Sequence, residues 1–314
     1  MLHTKILCEW PIQFLQDKLY GICTNDLVVI GCDSGTGKST LSRMITRTAR
    51  NSNCPVVLYS LENAPDTFVT EEVMLEYSKD TGDWMDNRRF EILHATNPDM
   101  YKKYRQIVFE RAEEKNKEGL QYLVVHEQVS KGDWSIDRLL LSMKEEIEKG
   151  YKLFIIDHLD VLVQKDELQD TKRAMDVLWN LVQEKGLAII TFSQIVKGCQ
   201  ALCPSYDDLR GHKAKVYKST IIITLGKHEY GYYNPPLKYP SAKPTYVRIA
   251  KSRSTATACS ICYFNHNSYL EDYSELLCDT AGTFIDGQSK STLQAWKREQ
   301  NKPKNKLGKE TFME

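Results

Sequence analysis

The sequence predicts an α/β fold, a mostly parallel central sheet flanked by helices with an antiparallel extension, on three observations. Short apolar runs rich in Val and Ile recur along the chain. Stretches of helical period separate the earlier runs, as βαβ units require. The first run leads into a glycine-rich turn that opens the first long helix.

In order, residues 1–20 read as a short lead-in or linker stub in which Trp10, Ile12, Phe14, Leu15 and Leu19 can line one helical face. A strand at 27–30 and a helix at 38–49 follow. Strands at 56–59, 122–125, 153–156 and 187–191 then alternate with helices at 101–117, 136–149 and 171–185. The runs are near-continuously apolar, the signature of strands covered on both faces. From residue 221 onward the runs 221–225 and 246–249 have no long helix between them, only the Tyr/Pro-rich loop 231–244. They are therefore expected to pair antiparallel. No internal repeat is found. The main unit is expected to span 21–285, and the polar, basic tail 286–314, with Pro303 and several lysines, lacks apolar periodicity.

Composition bounds the function. In 314 residues, 42 Lys+Arg balance 42 Asp+Glu and 41% of residues are hydrophobic, enough for a core and contrary to a disordered chain. With no net charge, nucleic acid has to be met by a local patch. The apolar runs fall far short of the roughly 18–20 residues of a membrane helix, so no membrane partner is expected. The start MLHTKILCEW has no apolar core ahead of a cleavage site, so the protein is expected not to be secreted. Nine cysteines, an odd count in a long chain, fit reduced thiols in a cytoplasmic compartment. Cys199 with Cys203 and Cys259 with Cys262 have half of a zinc spacing, but no second pair stands near either.

The most informative segment runs from Gly31 through Cys32 and Asp33 to Ser34-Gly35-Thr36-Gly37-Lys38-Ser39-Thr40. A strand, a glycine turn and a helix in that order make a phosphate-binding loop. Backbone N–H groups wrap a β-phosphate, and the helix N-terminus adds its positive end. Gly31, Ser34, Gly35, Thr36, Gly37, Lys38, Ser39 and Thr40 are the candidate ATP-binding residues. Lys38 would reach the β- and γ-phosphates, and Ser39 would coordinate Mg²⁺. The glycine that the strict pattern puts at position 32 stands one residue earlier. Glu62, just beyond the second strand, is placed to act as general base, and Asp157 at the end of 153–156 to anchor Mg²⁺. Gln194, beyond 187–191, could sense the γ-phosphate.

Together these segments resemble the RecA-like motor domain of DnaB-type hexameric replicative helicases, including the helicase half of phage primase-helicases. Val-Leu-Tyr-Ser-Leu-Glu62 is similar to the family's base motif, Ile-Ile-Asp157-His158-Leu to its Walker B strand, and Phe-Ser-Gln194 to its sensor. Asp208-Leu209-Arg210-Gly211 resembles the start of the loop that contacts single-stranded nucleic acid, which makes Arg210, Gly211 and Lys213 candidate contacts. Ile249-Ala250-Lys251-Ser252-Arg253 resembles the Lys-x-Arg pair that reaches into a neighbouring subunit's site. The sequence departs from the family at Gly211-His212-Lys213, where an acidic residue often follows the Arg.

The resemblance implies a RecA-like P-loop NTPase, an ATP-dependent DNA helicase or translocase moving on single-stranded DNA in replication. It implies ATP and Mg²⁺ as cofactors, a homo-oligomer of hexameric-ring type, and a separate primase or loader protein as partner. Such a protein would work in the cytoplasm, of a host cell if its origin is a virus or plasmid. The alternative is a RecA-fold switch, loader or recombinase-like filament protein without unwinding activity, which would need Arg253 but not a basic loop. Lys213, Lys215 and Lys218 also read as a solvated helix face, and His158 and His212 as hydrogen-bonded structural residues.

Overall fold

The computed structural model describes residues 4–63, 66–83, 87–127, 134–163, 166–196, 204–211, 213–227, 243–264 and 270–271. A two-stranded antiparallel ribbon, β1 (Ile6–Cys8) and β2 (Ile22–Cys23), brackets helix α1 (Gln13–Leu19). The body is laid down as β3 (Leu27–Cys32), α2 (Lys38–Asn51), β4 (Val56–Ser60), α3 (Thr67–Thr81), α4 (Asn87–Thr96), α5 (Pro98–Glu113), β5 (Leu123–Glu127), α6 (Ile136–Lys149), β6 (Leu153–Asp157), α7 (Glu167–Lys185) and β7 (Ala188–Gln194). It closes with α8 (Ala214–Lys218), β8 (Ile221–Lys227), β9 (Lys243–Ser252), β10 (Ala258–Phe264) and β11 (Leu270–Glu271). Strands β3 to β11 form one sheet in the order β11-β10-β9-β8-β3-β7-β6-β4-β5.

Alternation along each strand feeds two cores. Val28, Ile30, Leu58 and Ile155 pack on one face with Leu41 and Ile45 of α2 and with Trp10, Ile12, Phe14, Leu15 and Leu19 of the amino-terminal segment. Leu27, Val29, Val57 and Ile156 pack on the other with Met143 of α6 and Met175, Leu178 and Val182 of α7. Strands β3, β4 and β6 are buried along their whole length, which is why they read as unbroken apolar runs.

The sheet corrects one expectation. β8 runs parallel to β3, with Val28 opposite Ile221 and Cys32 opposite Leu225, so the antiparallel extension begins one strand later, at β9. β7 and β8 flank β3, and in the connection between them Leu209 lies against Gly31 of β3. The end of that connection is pinned where Thr220 donates its N–H to the Leu27 carbonyl (2.8 Å) and accepts the Leu27 N–H on Oγ1 (3.0 Å).

Helix α5, expected over 101–117, begins earlier than the periodicity suggests, at Pro98, because Asn97 caps it by accepting the Met100 N–H (3.2 Å) and proline suits a first turn, and it ends at Glu113. Helices α3 and α4 were not expected. In α3, Glu72 is buried (2% exposed) opposite Arg47 (2.6 Å), so an ion pair occupies a position that apolar periodicity would fill. Helices α3, α4 and α5 gather their own small core around Val73, Met74, Phe90, Tyr104 and Val108.

Cys199, Cys203, His212, residues 231–242 of the Tyr/Pro-rich loop and the tail 286–314 lie outside the described residues. Among the described residues no group of three or more His, Cys, Asp or Glu side chains gathers as metal ligands. No described helix is long and apolar enough to cross a membrane.

Candidate nucleotide site

The site lies at the carboxyl ends of β3, β4, β6 and β7, where an open α/β sheet presents its crevice. After β3 the chain turns through Gly35 (φ 70°) and Gly37 (φ 108°), a left-handed backbone that suits glycine. Gly37, the N-cap of α2, has no side chain to cap the helix, and the first-turn N–H groups of Lys38, Ser39 and Thr40 lie at the crevice. In the loop, Ser34 donates its N–H to Asp33 Oδ1 (2.8 Å), and the Thr36 hydroxyl is buried without a hydrogen-bond partner.

Lys38 reaches across the strand ends to an ion pair with Glu62, and its Nζ stands 3.9 Å from Asp157 Oδ1. Two pairings put these groups together. Ser60 is opposite Asp157 in the β4–β6 ladder, and the Leu61 N–H donates to the Asp157 carbonyl (2.7 Å), drawing residue 62 over the end of β6. His158 is buried, with Nε2 3.2 Å from Glu62 Oε2. That hydrogen bond first, and the Lys38 ammonium after it, hold the Glu62 carboxyl down at about 2. Asp157 behaves oppositely, because burial pushes it above the usual carboxylate range despite Lys38.

Asp157 suits a bound cation. Its Oδ1 is buried and accepts no hydrogen bond, and the Ser39 hydroxyl lies against the carboxylate. A hard divalent ion with oxygen ligands fits this donor set. The adjoining cleft is lined by Ser39, Ser42, Arg43, Asn63, Glu71 and Asp157, and the Arg43–Glu71 ion pair ties α2 to α3 at its side. Burial lowers Arg43 to about 10.

The other candidates fall in three places. Gly31 is inside β3, where a Cβ would come 2.2 Å from Leu209 Cδ2, so its smallness admits Leu209. Gln194 faces the loop before α8. Its carbonyl accepts the Arg210 N–H (2.9 Å) and its Oε1 accepts from the Arg210 guanidinium (3.2 Å), which also donates to Glu167 (2.9 Å). Gly211 follows with φ 90°, and Lys213 is exposed.

Lys251 and Arg253 do not join Lys38 in this chain. Lys251 donates to the carbonyls of Val216 and Ser219 (2.8 Å to the latter), and Arg253 donates to the Tyr217 carbonyl (2.8 Å) with its guanidinium 4.7 Å over the Trp179 ring. The Arg253 N–H bonds to Thr220, which abuts Leu27, so the pair sits at the opposite end of β3 from the phosphate loop.

The solvated-face reading of three lysines is corrected for one of them. Lys213 is exposed and Lys218 pairs with Asp176 (2.9 Å), but Lys215 is fully buried on Asp160. The sequence marks neither Lys215 nor Asp160 as a site residue. Each sits within a few residues of a motif, but no short-range pattern joins them.

The DnaB-like helicase C terminal domain family matches residues 11–271. No curated protein matches the chain. Among solved structures, one described as an ATPase domain superposes with a TM-score of 0.68 at 14% identity, covering 85% of this chain and 92% of that one. A DnaB-like replicative helicase, described with its interactions with primase, superposes with a TM-score of 0.68 at 15% identity, over 85% of this chain and 63% of the other. At these identities the likeness is one of fold.

Proposed function

The chain belongs to the DnaB-like helicase C terminal domain family, and from that premise we propose that it is an ATP-dependent DNA helicase or translocase that moves on single-stranded DNA in replication. The observation that carries the proposal is the convergence of Lys38, Ser39, Glu62 and Asp157 around the uncapped start of α2.

In this reading, the α2 N–H groups and Lys38 bind the phosphates of ATP. Ser39 and Asp157 would hold Mg²⁺, which when bound neutralises charge on the phosphates. Glu62, ionised and steered by His158, orients and deprotonates the attacking water once Lys38 exchanges the carboxylate for phosphate oxygens. Gln194, bonded to Arg210, lies between nucleotide and nucleic acid. Arg210, Gly211 and Lys213 contact the phosphates of the strand, and Lys251 and Arg253 serve the site of an adjacent copy in a hexameric ring. A separate primase or loader is the expected partner.

The test compares Lys38→Ala and Glu62→Gln. Lys38→Ala should abolish ATP binding or turnover. Glu62→Gln should retain ATP while hydrolysis falls by roughly 10² or more, the scale of general-base catalysis. Wild-type turnover in Lys38→Ala would overturn the ATPase. ATPase and strand binding without displacement of an annealed strand or directional movement would leave the switch or loader reading.

A further inference from the structure

Lys215 is 0% exposed. A buried ammonium is tolerated only where every proton finds a partner and the charge is balanced. Its Nζ donates to Asp160 Oδ1 (2.5 Å), Ser193 Oγ (2.7 Å) and the Arg210 carbonyl (2.7 Å), which uses all three protons. The three acceptors belong to three segments: the turn after β6, the end of β7, and the loop before α8.

Each connection leads onward. The second Asp160 oxygen accepts the Gln194 N–H (2.7 Å) and the Ser193 hydroxyl (3.3 Å); it also lies 3.7 Å from His158 Nδ1, too far for a hydrogen bond, while the other nitrogen of that ring meets Glu62. On the loop side, Arg210 clasps Gln194 through backbone and guanidinium. Gly211, at φ 90°, passes so close that a Cβ would meet Lys215 Nζ at 3.4 Å and Thr171 Oγ1 at 3.3 Å. The ammonium therefore stands between the candidate general base and the backbone of the candidate strand-binding loop. A buried ion pair is weak as a source of stability, since apolar residues of similar volume commonly do as well.

We propose that Lys215 is a positioning residue that couples occupancy of the Arg210 loop to the hydrolysis site. A displacement of the Arg210 carbonyl changes the hold of Lys215 on Asp160 and Ser193. Asp160 in turn sets the placement of Gln194, whose N–H it accepts. The inference rests on the ATPase and strand-binding reading above.

The test is the ratio of ATP turnover with and without an oligo-dT strand, read beside melting temperature and oligonucleotide affinity by anisotropy. Lys215→Met alone strands a buried carboxylate, so the deciding variant is Lys215→Met with Asp160→Asn, which removes both charges. We expect this double variant to fold and to bind oligo-dT within about twofold of wild type, while its stimulation ratio falls to near one. Wild-type stimulation in the double variant, or a double variant that cannot fold, overturns the coupling role. A wild-type protein that lacks ATPase activity or is not stimulated by oligo-dT instead overturns the functional reading beneath it.

Discussion

His158 Nε2 lies 3.2 Å from Glu62 Oε2, and this hydrogen bond is the largest influence holding the Glu62 carboxyl at about 2, against burial that acts the other way. Glu62 is thus ionised throughout the working range, with its orientation fixed by a ring that follows the strand-end acid Asp157.

Replacing His158 by Leu should raise the Glu62 pKa from about 2 toward the ordinary 4.5, leaving Lys38 as the main group that favours its charge. The sign follows from the depressed folded value. Whatever stability Glu62 contributes is present above about 4.5 and is lost as pH falls toward 2. In the variant the contribution is smaller, because the folded and unfolded values lie closer, and its loss is complete at a higher pH. The acid limb of kcat/KM, which reports groups of the free enzyme, should move upward in the same direction. A pH series of kcat/KM checks this, and an unmoved limb would assign control of the carboxylate to Lys38 alone.

Asp157→Asn separates binding from folding. Burial raises the pKa of Asp157, so at neutral pH its charged form is a liability to the unliganded fold. The variant should melt no lower than wild type. Ligand at a hundred times its Kd should stabilise wild type by about 2.7 kcal/mol. With Mg²⁺ and ATP, the melting temperature should rise for wild type and rise less for Asp157→Asn, whose phosphate-binding groups remain but whose metal anchor is lost. Thermal unfolding with and without Mg²⁺ and nucleotide reads both effects.

Gly31→Ala places a methyl 2.2 Å from Leu209 Cδ2. Overpacking of this kind costs about 1–3 kcal/mol. Leu209→Ala makes room, so the double variant should recover part of the loss, seen as a coupling energy in a urea-unfolding cycle. Strictly additive losses would mean that the Leu209 side chain swings aside without cost.

If Arg253 completes the site of a neighbouring copy, Lys38→Ala and Arg253→Ala proteins should each be nearly inactive, and their mixture should regain activity. Fingers acting from outside contribute about 10³ to 10⁵ in rate in well-studied nucleotide hydrolases. ATPase assays across mixing ratios, at concentrations where assembly is established by mass photometry, provide the check. A flat response would confine Arg253 to its contacts with Tyr217 and Trp179.

Where signals were local, sequence and structure agree closely. Helix α6 spans Ile136–Lys149 as the pattern indicates, because Ser135 caps its start by accepting the Arg138 N–H (3.2 Å) and Gly150 ends it at φ 114°. The start of α2 at Lys38 follows from Gly37, and the acid Asp157 follows from the apolar run before it.

By itself the sequence determined a strand-loop-helix with glycines where the backbone turns left-handed, the strands that alternate between two cores, and the positions of Lys38, Glu62 and Asp157 at strand and helix ends. Each of these depends on side-chain period or turn chemistry over a few residues. Only the tertiary structure decided that β8 lies parallel beside β3, that Gly31 makes room for Leu209, and that Lys215 is a buried ion-pair partner rather than one of three solvated lysines. The balancing charge for Lys215 is Asp160, 55 residues away. Burial of a charge depends on the partner that packing brings to it, and no local pattern carries that information.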